Sequence, residues 1–333
     1  MLITILLIHS TFMLSDVLLG EAHKANFHPK KIDSFSKTQI KDKELRFVEN
    51  VQKRPRLLKI VVFVALFLLI GGLFLDVYFA SKVLGGESWI SNHFLSGPAR
   101  WGIRELIQLF TFLFFIEAVL LFVEALANSF LDLKTMPGDL VLMGNSLFRD
   151  AAVAVAVLWT VQKKFGQKLS DLGLNFHQWI KSVWTGLTGY VAILPPLCLI
   201  LFMTALAAKV FAFEPEPQAV VQIYLKDSSQ RYLLFFTIFV AVMGPMFEEI
   251  FFRGFLYKGL REKLGVRNAA FFSAALFSAM HMNLIAFFPI FFLGLFLVYL
   301  YEKSGTLVPS MTAHITHNLL MVCFTLWFKS VSA

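Results

Sequence analysis

The chain of 333 residues is 57% hydrophobic and only 16% charged, with a formal net charge of +8. Its mean hydropathy of +0.70 excludes soluble Rossmann, barrel and sandwich enzymes, none of which holds uncharged stretches such as Ile60 to Leu75 or Tyr232 to Phe247. An outer-membrane barrel would alternate apolar and polar residues, whereas these runs are continuously apolar. The expected fold is therefore all-α, a polytopic transmembrane helical bundle. Cys198 and Cys323 each lie in an apolar run without a CxxC or Cys/His partner, which makes them packing residues rather than a disulfide or a zinc ribbon.

The chain begins with a short apolar stretch, Leu2 to Ile8, preceded by no Lys or Arg. It makes a poor signal peptide and is read as an interfacial segment, or as upstream of a true start at Met13; no span is placed there. Lys24 to Lys59 carries eleven Lys and Arg against four acidic residues, Asp33, Asp42, Glu44 and Glu49. Directly before the first strong apolar run, this reads as a cytoplasmic segment facing anionic membrane lipid, part of it an amphipathic surface helix, and not as a nucleic-acid surface. Candidate spans follow at roughly 58–80, 104–131, 140–162, 182–212, 232–262, 268–283, 285–302 and 307–328, about eight in all. Ser96-Gly97-Pro98, Met136-Pro137-Gly138 and Glu214-Pro215-Glu216-Pro217 punctuate them.

Three regions are expected: a basic N-terminal region over 1–57, N-terminal spans over 58–144, and a second membrane domain over 145–328. Loop charge places the N-terminus, the linker 163–181 and the loop 258–267 all in the cytoplasm, with the loop 302–306, and leaves 214–231 outside. Three spans cannot join two cytoplasmic segments. Either one of the first three does not cross, or the N-terminus lies outside against its charge, or a span is hidden.

Ionisable groups inside a membrane cost roughly 2.5–3.5 kcal/mol each at a helix centre, so a cluster of them marks a functional site. Glu248, Glu249 and Arg253 share one apolar run. At i,i+4 spacing Glu249 and Arg253 lie on one face and neutralise each other, which leaves Glu248, about 100° away, for another task. A later span supplies Phe277 and His281, and the last supplies His314 and Asn318. Helical rise brings Glu248, His281, His314 and Asn318 to overlapping depths. A carboxylate and an imidazole suffice to activate water, and an imidazole with an amide to stabilise an oxyanion. Ser278, Ser310 and Thr312 read as packing hydroxyls, His317 as a packing residue, and Asp150, Glu117 and Glu124 as structural or interfacial groups.

The three pairs reproduce a family pattern of EExxxR, FxxxH and HxxxN on successive core helices. On these residues the chain resembles the CAAX-protease and bacteriocin-processing (CPBP, or Abi) intramembrane endopeptidases, related to the type II CAAX prenyl endopeptidases. The weaker feature Leu169-Ser170-Asp171-Leu172-Gly173-Leu174 extends the resemblance over roughly 145–328. It implies an intramembrane endopeptidase in which Glu248 and His281 activate water, His314 and Asn318 form the oxyanion site, and Glu249 with Arg253 holds the architecture. The family has been described both as metal-dependent and as glutamate-dependent. No cofactor is favoured; the alternative is zinc, with Glu248, His281 and His314 as ligands.

The expected partners are membrane lipid and a peptide or protein substrate, either prenylated or membrane-embedded, with CAAX-type processing and peptide or bacteriocin maturation both open. The expected location is a bacterial inner membrane. Two competing readings are a non-proteolytic scaffold or immunity factor of the same fold, and a transporter. The transporter reading calls for inverted repeats and broken helices, which the sequence does not display.

Overall fold

The computed structural model describes residues 37–85, 97–130, 138–211, 219–225 and 230–332, and every regular element among them is helical. The expectations placed on residues 1–36, on Met136-Pro137 and on 214–217 lie outside the described residues. The helices are α1 Lys37–Gln52, α2 Pro55–Leu84, α3 Ile103–Phe130, α4 Gly138–Trp159, α5 Trp179–Val210, α6 Ala219–Leu225, α7 Gln230–Ile238, α8 Gly244–Glu249, α9 Lys258–Ala279, α10 Phe287–Ser304 and α11 Val308–Ser332. Wider π-helical turns occupy Thr160–Lys164, Phe239–Met243 and Ile250–Tyr257, so α8 stands between two of them in an otherwise continuous rod. α4 runs through the regional boundary expected at residue 144.

Among the described residues, five stretches are long and apolar enough to cross a membrane: Leu58–Lys82, Ile103–Leu126, Trp179–Val210, Leu233–Ala279 and Phe287–Ser304. The expected count of about eight spans is thus not reproduced, for two physical reasons. The spans expected at 232–262 and 268–283 are counted within the single 47-residue stretch Leu233–Ala279, in which two helices meet at a kink at Gly265, whose φ of 73° only glycine adopts readily. The other two expected segments are helical, as α4 and α11, but are too polar. α4 carries Asp139, Asn145, Arg149 and Asp150, and α11 carries Thr312, His314, Thr316, His317 and Asn318.

α5 packs on α2, α10 and α11, and α9 packs on α10, while α4 lies against α8 and the π-turn after it. The central apolar cluster gathers Phe252, Phe255, Phe277, Tyr301 and Leu307. Trp101 stacks on Phe255 with ring centroids 5.1 Å apart and donates Nε1–H to the Phe255 carbonyl at 2.9 Å, which ties the start of α3 to this core.

At one end of the bundle the Leu169-Ser170-Asp171-Leu172-Gly173-Leu174 segment acts as a latch. Leu169–Leu172 forms a 3-10 turn closed by Gly173 at φ 87°, where a side chain would run into the Tyr301 ring. Its carbonyls collect donors from α9, from α10 and from the turn between α10 and α11. Lys258 bonds Asp171, Tyr301 bonds Leu172 at 3.2 Å, and Thr306 Oγ1 and Leu307 N bond Gly173 at 3.0 and 2.8 Å. Beside it, buried Glu302 accepts from Tyr257 at 2.7 Å and Arg261 at 2.8 Å, so each polar group here has a partner.

The opposite end of α11 meets α1. Phe47 packs on Trp327 and Phe328, each with centroids 5.0 Å apart, and Asn50 Nδ2 donates to the Val331 carbonyl at 2.8 Å. α11 has 25 residues, so at about 1.5 Å per residue its two ends are about 37 Å apart, more than the hydrocarbon thickness of a bilayer. The basic start of the chain and the 163–181 linker therefore sit at opposite ends of the bundle. The described part of the N-terminal segment thus lies at the end of the bundle away from the linker. In a Cys198→Ala/Cys323→Ala background, Lys53→Cys and Lys263→Cys should label with a membrane-impermeant reagent from opposite sides. Labelling of both from one side contradicts this arrangement.

Candidate active site

Glu249 and Arg253 are both fully buried, and Arg253 Nη1 donates to Glu249 Oε1 at 2.7 Å, as the i,i+4 spacing requires. Arg253 also donates Nη2–H to the Gly294 carbonyl at 3.3 Å and lies 4.3 Å from the Phe277 ring centroid. This explains why a glycine stands at 294. A Cβ there would press on Ala274 and Phe277 at 3.1 to 3.3 Å and push α10 away from α9. Phe277 is a hub, its ring 4.9 Å from that of His281 and 5.5 Å from that of His314.

Glu249 has a second partner that sequence spacing could not reveal. Its Oε1 also lies 3.0 Å from His314 Nδ1. A carboxylate paired with Arg253 only accepts, so Nδ1 of His314 carries a proton and donates it. His314 Nε2 then points to the other side, 3.6 Å from Glu248 Oε2, within ion-pair range but longer than a hydrogen bond. His314 thus stands between two carboxylates. Nε2 can donate to an oxyanion only if it too is protonated.

His281 is oriented by its own helix. Its Nδ1 is 2.8 Å from the Phe277 carbonyl, which only accepts, so Nδ1 is the donor and Nε2 is left as the ring's acceptor in the neutral form. Glu248 and His281 line one cavity of about 130 Å³, walled by Phe247, Phe251, Phe252, Phe277 and Met280. That volume suits a few water molecules or one apolar side chain.

Asn318 is engaged elsewhere. Its Nδ2 donates to the Val240 carbonyl at 3.0 Å. In the π-turn 239–243 the Gly244 N–H is taken by Phe239 O, and the next donor in that pattern would be Pro245, which has no N–H. The Val240 carbonyl is thus orphaned by Pro245 and satisfied by Asn318, which keeps one further N–H.

Arg149 and Asp150, for which the sequence offered no motif, stand in the wall of the same cavity. Arg149 Nε pairs with Asp150 at 3.1 Å and Nη1 with Glu117 at 3.5 Å, so α3 and α4 add an ionic cluster beside Glu248. Only the packing of α4 on α8 brings them there. His317 bonds the Tyr190 hydroxyl through Nδ1 at 3.1 Å. Ser278, Ser310 and Thr312 each bond a backbone carbonyl, Phe287, Leu307 and Val308 respectively.

The zinc alternative asks for Glu248, His281 and His314 around one ion. Among the described residues, no three His, Cys, Asp or Glu side chains are grouped in a way that holds a metal. The residues as placed do not fit that ligand set, and no step below runs through it.

Residues 230–320 match the family model described as Type II CAAX prenyl endopeptidase Rce1-like. No curated protein and no solved structure matches the chain. The matched segment contains all three motifs, and over it the chain is similar to the Rce1-like type II CAAX prenyl endopeptidases, membrane proteases whose likeness is consistent with the CPBP family.

Proposed function

We propose that this chain is an intramembrane endopeptidase that hydrolyses a peptide bond with water activated by Glu248 and His281. The observation that carries the reading is that these two residues, one on α8 and one in the turn just after α9, line one cavity, with His314 3.6 Å from Glu248. Glu248 takes a proton from water as the oxygen attacks the scissile carbonyl carbon, and His281 Nε2 accepts the water's other hydrogen bond. The carbonyl π electrons move onto oxygen, where His314 Nε2–H and the free N–H of Asn318 receive the charge. The C–N bond then breaks as protonated Glu248 returns its proton to the leaving nitrogen. The products are an acid and an amine, and the carboxylate is regenerated.

The apolar cavity wall and the CAAX description of the matched family favour a prenylated or membrane-embedded peptide as substrate. A purified, reconstituted preparation incubated with a membrane-peptide extract should generate new peptide termini, mapped by mass spectrometry. Absence of any new terminus would leave the scaffold or immunity-factor reading in place.

Loss of one oxyanion donor costs about 10²–10³ in rate, so Asn318→Ala should keep weak turnover. It should also lose about 1–3 kcal/mol of stability through the orphaned Val240 carbonyl. Unchanged turnover with reduced stability would make Asn318 a brace only. Turnover should survive exhaustive chelation followed by repurification, and loss restored specifically by zinc would defeat the metal-free mechanism.

A further inference from the structure

The corner between α1 and α2 has a chemistry that the proteolytic reading does not use. Lys53, Arg54, Arg56 and Lys59 are all exposed, and none has a carboxylate in ion-pair reach among the described residues. No Asp or Glu occurs between Glu49 and Asp76. Lys53 and Arg54 lie in the corner itself, and Arg56 and Lys59 in the first turns of α2.

Directly beyond them α2 turns apolar while staying exposed, with Ile60 61% and Phe63 70% accessible. Only 6% of the Leu58–Lys82 span is buried against the rest of the protein. A cationic rim above a lipid-facing apolar wall matches a phosphodiester above two acyl chains. The rim is also held in place, because Phe47 on Trp327 and Phe328, and Asn50 on Val331, dock α1 onto the end of α11.

We propose that this corner is a binding site for anionic glycerophospholipid, with Lys53, Arg54, Arg56 and Lys59 on the phosphates and the Ile60–Phe63 turn against the acyl chains. Near a membrane surface each Lys or Arg adds roughly a fivefold preference for anionic lipid. Four acting together withstand partial screening and still leave about a tenfold effect.

The test uses full-length protein in phosphatidylcholine vesicles doped with phosphatidylglycerol bearing a photoreactive acyl chain, with cross-linked peptides mapped by mass spectrometry. Cross-links are expected on 58–63, competed by unlabelled phosphatidylglycerol but not by phosphatidylcholine or inorganic phosphate. They should fall about tenfold in K53Q/R54Q/R56Q/K59Q and be unchanged in K263Q/R267Q at the far end of the bundle. Equal labelling of 58–63 by a photoreactive phosphatidylcholine would overturn the proposal in wild-type protein alone, independent of how any variant folds. So would competition by inorganic phosphate, undiminished labelling in the quadruple variant, or equal loss in the far-end variant.

Discussion

Glu248→Gln is expected to lower cleavage by at least 10²–10⁴, the range a positioned general base contributes, while the protein still inserts and unfolds at an unchanged temperature. The amide keeps the shape of the carboxylate and cannot take the proton from water. Glu248 is about a third exposed and, among the described residues, its ion pair is the 3.6 Å approach to His314, with no hydrogen bond, so the fold does not hang on its charge. The same substitution at Glu249 should behave differently. Glu249→Gln removes the anion that holds both Arg253 and His314, and it should lose stability as well as activity. Equal thermal unfolding of the two variants would contradict this division of labour.

Arg253→Leu should be the most destabilising single change in the site. It leaves Glu249 buried with its charge unmatched, which typically costs about 3–5 kcal/mol. It also removes the donor to the Gly294 carbonyl and the cation over Phe277, the two contacts that tie α9 and α10 to the Glu249 helix. The double variant Glu249→Leu/Arg253→Leu removes both charges together and should recover much of the stability but none of the activity, because His314 loses its hydrogen-bond acceptor. Thermal unfolding in detergent, read beside cleavage, checks both statements. A single Arg253→Leu as stable as wild type would show that the pair is not structural.

The sequence made the Glu249–Arg253 pair legible because both residues belong to one helix, where spacing alone fixes the geometry. The helical segments were legible for a similar reason, since continuous apolar runs announce themselves locally. What crosses between helices was not legible. Glu249 to His314 spans 65 positions, and Arg149 reaches the cavity only through the packing of α4 on α8. Asn318 was visible as a motif member, and the Pro245 that lacks an N–H stands in the sequence. That the one repairs the carbonyl left open by the other depends on the π-turn at 239–243, a register change that hydropathy does not encode.

The docking of the N-terminal segment was not legible for a different physical reason. The positive-inside tendency weighs loops against the membrane potential and the insertion machinery, whereas the docking of Phe47 and Asn50 on the end of α11 is a packing contact indifferent to both. The span count fell short because polar side chains that serve the interior of the bundle, in α4 and α11, lower the hydropathy of helices that pack on their neighbours.

The most direct measurement is a comparison of membrane peptide termini in cells expressing wild type or Glu248→Gln at matched levels. New termini that appear with wild type and vanish with Glu248→Gln are the predicted result, and they would name the substrate. Identical sets of termini from the two proteins, with both correctly inserted, would contradict Glu248-dependent peptide hydrolysis.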